Sequence, residues 1–169
     1  MTRLMSAFYR DSSVVLAPEL LGKILCRKIG DSILRARITE TEAYCGENDT
    51  ACHASKGRTP RNDIMYEEGG YAYIYLCYGI HEMFNVVTGQ KDSPEAVLIR
   101  GVENFDGPGK LTKALSIDRS LNKENLAASC RLWLEDDGTT PKFYACKRIG
   151  INYAKPRDRD RLWRFRLCN

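Results

Sequence analysis

The sequence predicts a single strand-rich domain carrying a few short helices. Three observations lead there. The apolar residues come in short runs rich in Val, Ile, Leu, Tyr and Phe, which suits strands better than long helices. The runs are separated by Gly, Pro, Asn and Asp, the residues of turns. No repeat, low-complexity tract or linker divides the 169 residues, a length that buries one sizeable core.

The elements follow in order. Residues 4–13 read as an N-terminal arm. Ala17 to Leu21 is a short helix with Pro18 at its first position, closed by Gly22. Lys23 to Ile29 and Ser32 to Thr41 are strands joined by a Gly30-Asp31 hairpin turn. Residues 45–70 form a long polar loop with room for one helical turn, and compact domains seldom keep such a loop without a binding use. Gly69 to Gly79 and His81 to Thr88 are the arms of a hairpin, and Ala96 to Val102 is a further strand. Gly107 to about Ile117 is a helix with Pro108 at its start. Asn122 to Ser129 is a polar turn or short helix. Arg131 to Glu135, Phe143 to Ile149 and Leu162 to Leu167 complete the strands, with turns at Asp136-Asp137-Gly138 and Lys155-Pro156-Arg157.

Chemistry concentrates in Ile38-Thr39-Glu40-Thr41-Glu42-Ala43-Tyr44. Side chains alternate faces along a strand, so Leu34, Ala36, Ile38, Glu40, Glu42 and Tyr44 are expected on one side. That side begins apolar and turns acidic. Carboxylates continuing a core-facing stripe are costly unless paired, and such sites suit proton work. The plainer reading of this stretch alone is a strand mouth meeting water. Arg100 lies inside an apolar run, and a buried arginine needs an anionic partner, for which Glu42 is the obvious candidate.

Other stretches point to a polyanion. Lys56-Gly57-Arg58-Thr59-Pro60-Arg61-Asn62 sets three cations among turn formers, either a phosphate-contact loop or a solubilising one. Lys110, at the start of the Pro108 helix, suits a phosphate or simply an ordinary helix start. Tyr71, Tyr73 and Tyr75 share one face of a strand, and Tyr71 and Tyr73 suit sheet packing. Tyr78, beside the hairpin-tip Gly79, is oddly placed for a core residue and suits an outward wedge between bases. Residues 142–169 hold nine Lys or Arg against Asp158 and Asp160. That segment is therefore +7, leaving 4 − 7 = −3 for residues 1–141. A basic end of this kind suggests nucleic acid or a merely solvated tail.

Several classes are excluded. No apolar run spans a bilayer, and residues 1–6 lack the core of a signal peptide. Seven scattered cysteines with no paired spacing fit a reducing compartment better than a disulfide framework. No glycine-rich phosphate cradle occurs. Cys45, Cys52, His53, Cys77 and His81 match no common zinc spacing, and nothing provides a base for a cysteine nucleophile.

Glu40-Thr41-Glu42-Ala43-Tyr44, His53, Thr59-Pro60-Arg61-Asn62, Tyr73-Ile74-Tyr75-Leu76-Cys77-Tyr78-Gly79, Asn85, Val97-Leu98-Ile99-Arg100 and Gly107-Pro108-Gly109-Lys110-Leu111 resemble, in order and spacing, the alkyladenine (3-methyladenine) DNA glycosylases. The resemblance runs from about Leu16 to Phe165, and it is to the short, bacterial-type members. It implies a single α+β domain, residues 1–169, with a curved, mostly antiparallel sheet. The strand-rich reading is compatible with that fold without demanding it.

The resemblance also implies roles. Glu42 matches the catalytic carboxylate that activates water against C1′ of a flipped nucleotide, and Arg100 the arginine that helps hold that water. Tyr44 and Tyr75 match the walls that sandwich the base, His53 a residue that hydrogen-bonds the base or its sugar, and Asn85 the residue that crowds out the amine of normal guanine. Tyr78 matches the side chain that fills the gap in the duplex. Arg58, Thr59, Arg61 and Lys110 are then backbone contacts. Glu40 is expected to be structural. Ile80 and His81 differ from the larger relatives, so the minor-groove contacts and lesion range are open. No metal or redox cofactor is implied. The partner is double-stranded DNA containing damaged purines and not a membrane; the expected state is a monomer, in the cytoplasm of a bacterium or the nucleus of a eukaryote.

These residue types suit the chemistry. The target bond lies inside a stacked duplex, so the nucleotide must rotate out. Alkylation makes a purine cationic and a better leaving group, and tyrosine faces attract such a ring by ~0.5–2 kcal/mol each. The sugar left behind has oxocarbenium character, which an ionised carboxylate stabilises. Two other readings compete: a non-catalytic nucleic-acid-binding module, which predicts binding without base release, and a metal-dependent hydrolase, which predicts sensitivity to chelators.

Overall fold

The computed structural model describes residues 1–168. Its centre is one long strand, β3 (Ser32–Cys45), which reaches most of the other elements. The first half of β3 pairs with β2 (Ile24–Ile29) through the turn at Gly30-Asp31, as expected. The second half pairs with β6 (Glu95–Val102) on one edge. On the other edge, β2 gives way to the late strand β10 (Arg164–Leu167), which lies against Glu40, Thr41 and Glu42. Beyond β6 lie β5 (His81–Val87) and β4 (Ala72–Cys77), and beyond β2 lie β8 (Leu132–Asp136) and β1 (Thr2–Arg3). Short strands β7 (Phe105–Asp106) and β9 (Phe143–Cys146) join β6 and β10. Every pairing is antiparallel. With three short helices, this is a single α+β domain.

The main core forms where α1 (Ser13–Glu19) and α2 (Pro108–Ala114) cover one sheet face. Leu16, Leu20, Ile38, Ala43, Phe84, Ile99 and Leu111 are all fully or nearly fully buried there. Thr41 Oγ1 donates to the Ala17 carbonyl at 2.7 Å and pins α1 to β3. A second, smaller core lies under the long loop, built from Cys52, Ala54, Ile64, Met65, Tyr66 and Tyr73. The loop is held by two 3-10 turns, His53–Lys56 and Asp63–Tyr66, where the sequence left room for one.

The structure corrects the strand arithmetic at the acidic stretch. Ala36 and Ile38 face the main core, but so do Thr41 and Ala43, which have the opposite parity. The ladder between β3 and β6 shifts register on either side of Glu40, the mark of a β-bulge. The bulge turns Glu40, Glu42 and Tyr44 away from the face that holds Ile38. The same switch occurs on β6, where Ile99 and Val102 both enter the core while Arg100 points to the other side. Gly101 makes the bulge possible. A Cβ there would sit 3.0 Å from Thr39 Oγ1 and 3.3 Å from Glu40 Cβ.

Other boundaries move as well. The first helix begins at Ser13, and Pro18 falls inside it rather than at its start. There the proline cannot donate to the Val14 carbonyl, and the helix ends one residue later, at Glu19. The second helix stops at Ala114, since Ser116 turns to positive φ (50°) and Ile117 bonds back to Thr112. Residues 122–129 form turns with no helix, and Tyr71 bridges to Asn125 there. The strand expected to reach Ile149 ends at Cys146. The turn expected at Lys155 opens the four-residue helix α3 (Pro156–Arg159).

Candidate active site

The bulge delivers Glu42 into a wholly buried position between three strands. Its Oε2 accepts from the Tyr44 hydroxyl at 2.8 Å, and its Oε1 accepts from the Ile149 N–H at 2.8 Å. Arg100 stands 3.7 Å from Oε1. Burial pushes the Glu42 carboxyl up from its usual range, and Arg100, the Ile149 N–H and the Tyr44 hydroxyl oppose that push. Arg100 is nearer to Glu40, at 3.4 Å, so the expected Arg100–Glu42 pair is a shared one. Glu40 also receives Arg164 at 2.9 Å and Arg166 at 3.6 Å. Arg164, from β10, therefore locks the late strand onto the acidic stretch.

In front of this group lies a cavity of about 500 Å³. Tyr44 and Tyr75 line it, with Met83, Ala96 and Leu98 among its other walls. His53 lies beside Tyr75, ring centroids 4.5 Å apart, and its Nδ1 meets the Tyr73 hydroxyl at 2.9 Å. The ring keeps an open face, yet burial among the tyrosines, with Arg61 nearby, lowers its pKa to about 4. His53 is neutral at pH 7, with Nε2 left for a ligand. Asn85 is buried in the cavity wall, and its amide donates to the Tyr73 carbonyl at 3.1 Å and the Met83 carbonyl at 3.4 Å. Its position is therefore set by backbone rather than by a ligand. Burial drives the Tyr44 and Tyr75 phenols well above their ordinary range, so both rings stay neutral.

Tyr78 sits at the tip of the β4–β5 hairpin and is 90% exposed. Both Tyr78 (φ 51°) and Gly79 (φ 71°) adopt left-handed conformations. A bulky aromatic tolerates that conformation poorly, so the tip holds Tyr78 outward at a cost. Ile80, 72% exposed, adds a second apolar side chain.

The expected backbone contacts divide. Arg61 lines the cavity, with its guanidinium over the Tyr75 ring. Lys110 is exposed and, among the described residues, makes no ion pair. Arg58 is instead held by Asp63 at 2.6 Å and lies over Tyr66. Thr59 is engaged by Asn62 through both its N–H and its hydroxyl. Both serve the loop's own structure. The basic C-terminal segment divides as well: Arg148 and Arg164 turn inward to Asp49 and Glu40, whereas Lys147, Arg157 and Arg161 pair with Asp160 and Asp158 from the surface.

Sequence reasoning missed Arg148, Asp49, the Ile149 N–H and the rim residue Tyr153. A signal for Arg148 existed, because it sits beside Ile149 and Ile151 much as Arg100 sits in its own apolar run. Nothing local announced the others. Among the described residues no three His, Cys, Asp or Glu side chains gather as metal ligands. Nor is any helix among the described residues long and apolar enough to cross a membrane.

An aromatic slot of this size, backed by a buried carboxylate, fits a hydrolase that works on a planar ring, and the comparisons place it among the enzymes of base excision repair. The chain belongs to the methylpurine-DNA glycosylase (MPG) family, whose model matches residues 7–169. It is 47% identical to a protein of Psychrobacter cryohalolentis named "Putative 3-methyladenine DNA glycosylase", over 88% of this chain and 84% of that protein. Proteins of the same name from Borrelia garinii subsp. bavariensis and Methanocella arvoryzae are 46% and 43% identical, each over 94% of this chain and over 92% and 88% of their own length. The chain is thus a DNA glycosylase by family.

Proposed function

We propose that this enzyme is a monofunctional glycosylase that hydrolyses the N-glycosidic bond of alkylated or deaminated purines after rotating the nucleotide out of the duplex. The lesions are of the 3-methyladenine, 7-methylguanine, hypoxanthine and ethenoadenine type. The observation that carries this is the setting of Glu42: fully buried, beside Arg100 and held on both oxygens, behind Tyr44, Arg100 and Ile149, which line a cavity of about 500 Å³.

In this reading the flipped base slides between Tyr44 and Tyr75. A cationic alkylpurine gains from both ring faces, while His53, neutral at pH 7, offers Nε2 to the base or its sugar. Asn85 presents a fixed amide that a guanine 2-amino group meets sterically. Glu42, ionised, stabilises positive charge developing on the sugar and takes the proton of the attacking water. Arg100 offsets the burial of that charge and helps orient the water. Tyr78 enters the vacated stack, which offsets the few kcal/mol spent on unstacking. Arg61 and Lys110 meet backbone phosphates. Neutral purines such as hypoxanthine require protonation as they leave.

The test is single-turnover base release from duplex oligonucleotides carrying each lesion, with EDTA present, for the wild type and Glu42→Gln. Release by the wild type alone supports the reading and ranks the lesions. Equal release by both proteins removes Glu42 from the chemistry. Tight binding by both without release makes the chain a damaged-DNA binder.

A further inference from the structure

Arg148 is the most deeply buried cation outside the acidic network, with a side chain fully shielded from solvent. It forms a two-pronged pair with Asp49, at 2.6 and 2.9 Å. Its remaining terminal donors reach the Ala43 carbonyl at 2.9 Å and the Asp158 carbonyl at 3.0 Å, and only Nε lacks a partner. The guanidinium lies between two rings, 5.0 Å from the centroid of Tyr44 and 5.1 Å from that of Trp163.

These contacts converge on Glu42 from both sides. Ala43, whose carbonyl Arg148 holds, is the link between Glu42 and Tyr44. Ile149, the next residue after Arg148, supplies the N–H on Glu42 Oε1. Tyr44, backed by the guanidinium, supplies the hydroxyl on Oε2. Thus one side chain holds both protein donors to the carboxylate without touching it. An ion pair serving stability alone has no need of this placement, because burying a charge pair is seldom a net gain over apolar packing. The loop after Ile149 is anchored further on by Ile151 and Ala154 against Ala51 and by the Tyr153 hydroxyl on the Ala51 carbonyl, but Ile149 itself is half exposed and next to Gly150 at φ 76°.

We propose that Arg148, clamped by Asp49, is a positioning residue that holds the Ile149 N–H and the Tyr44 hydroxyl on Glu42. The proposal rests on the reading of Glu42 as the catalytic carboxylate. Charged and titratable groups face Glu42 from every side: Glu40 and Tyr44 on its own strand, Arg100 on β6, Arg164 on β10, and Arg148 and Tyr153 on the segment after β9. Two substitutions in the clamp therefore predict effects of the same sign. Arg148→Lys keeps the positive charge but cannot reach Asp49, Ala43 and Asp158 together, so Glu42 loses its N–H donor and its ionised form is less favoured. Asp49→Asn leaves one acceptor oxygen where Asp49 takes both Arg148 prongs and the Cys45 and Ala51 N–H groups, so it loosens the same clamp and disfavours ionised Glu42 likewise.

The experiment measures the pH profile of single-turnover base release for the wild type, Arg148→Lys and Asp49→Asn. In parallel, 15N NMR follows the Ile149 amide, which reports its hydrogen bond without any turnover. The acid limb moves up by about one pH unit in Arg148→Lys, the worth of one hydrogen bond to a charged group. It moves up in Asp49→Asn as well. The Ile149 amide proton shifts upfield in Arg148→Lys and, in the wild type, follows the titration that Glu42→Gln abolishes. Unmoved limbs and an unmoved Ile149 amide, with only a lowered Tm, make Arg148–Asp49 a structural pair and overturn the proposal. If Arg148→Lys does not fold, an upward limb with an upfield Ile149 amide in Asp49→Asn supports the proposal, and an unmoved limb and amide overturn it. Base release that survives Glu42→Gln defeats the underlying reading instead, and the Ile149 amide shows whether the clamp still holds that carboxylate.

Discussion

Glu42 carries the clearest tension between stability and function. Its carboxyl is buried, so its ionised form is disfavoured in the folded chain. Between the unfolded value of 4.5 and the raised folded value, the native state binds the extra proton. Stability contributed by Glu42 therefore falls as pH rises through that window and stays low above it. His53 acts in the opposite sense: its folded value near 4 lies below 6.5, so stability rises with pH across that interval. Glu42→Gln removes the first of these titrations; its amide oxygen still accepts from the Ile149 N–H, and its amide nitrogen can donate to the Tyr44 hydroxyl oxygen. It is expected to abolish base release while raising Tm at neutral pH by roughly 3 °C, the worth of ~1 kcal/mol in a chain of this size. Thermal melts from pH 4 to 8 check this, and a Tm lower than wild type at pH 7 contradicts it. How far such residues are legible in sequence depends on their neighbours. Glu42, Tyr44 and Arg100 stood out because acids, an aromatic and an arginine interrupted apolar runs. The Ile149 N–H on Glu42 carried no signal, since any residue but proline presents one.

Two elements place the site. One is the bulge between β3 and β6, which turns the acids out of the core face. Gly101→Val puts a side chain against Thr39 and Glu40 and is expected to cost ~1–3 kcal/mol with a loss of activity beyond the loss of stability. Urea titration together with base release measured well below the unfolding range checks this. Activity close to wild type means that the bulge does not orient the acids. The other is the β4–β5 hairpin. Tyr78 is held in a left-handed conformation that costs a non-glycine residue ~1–2 kcal/mol. Tyr78→Gly should thus leave Tm unchanged or raised while slowing release from duplex and sparing release from single strands, which need no wedge. Equal slowing on both substrates removes the wedge role. The hairpin was visible in sequence, because Gly79 and the tyrosine-rich arms mark it. The bulge was not, since a strict two-residue period is blind to one inserted position.

The whole molecule places cations around one side of the hairpin. Arg61, Arg119 and Lys123 surround a second groove of about 490 Å³ against β4, lined also by Tyr75 and Leu76. Arg119 is partly engaged by Glu82 at 3.1 Å, whereas Lys123 makes no ion pair among the described residues. If duplex DNA lies across this face, Lys123→Ala weakens binding uniformly over sequences and reduces the salt slope by about one. Fluorescence anisotropy from 50 to 200 mM salt measures it, and an unchanged slope moves the phosphates elsewhere. The basic C-terminal segment divides its charge. Arg148 and Arg164 turn inward onto Asp49 and Glu40, while Lys147, Arg157 and Arg161 stay at the surface beside Asp160 and Asp158.

Local chemistry carried the strands, the hairpins, the acidic stretch, the aromatic arms and the resemblance to alkyladenine glycosylases, because these depend on side-chain periodicity, turn residues and motif spacing along the chain. Three features came from packing between distant segments. The bulge re-aims Glu42, β10 arrives to bond Glu40 through Arg164, and Arg148 meets Asp49 across the fold. A carboxylate's environment is the sum of groups that approach it in space, and here the decisive ones lie as far as 107 residues away in the chain. No reading of neighbours in sequence reaches that far, which is why the candidate acid was legible and its working surroundings were not.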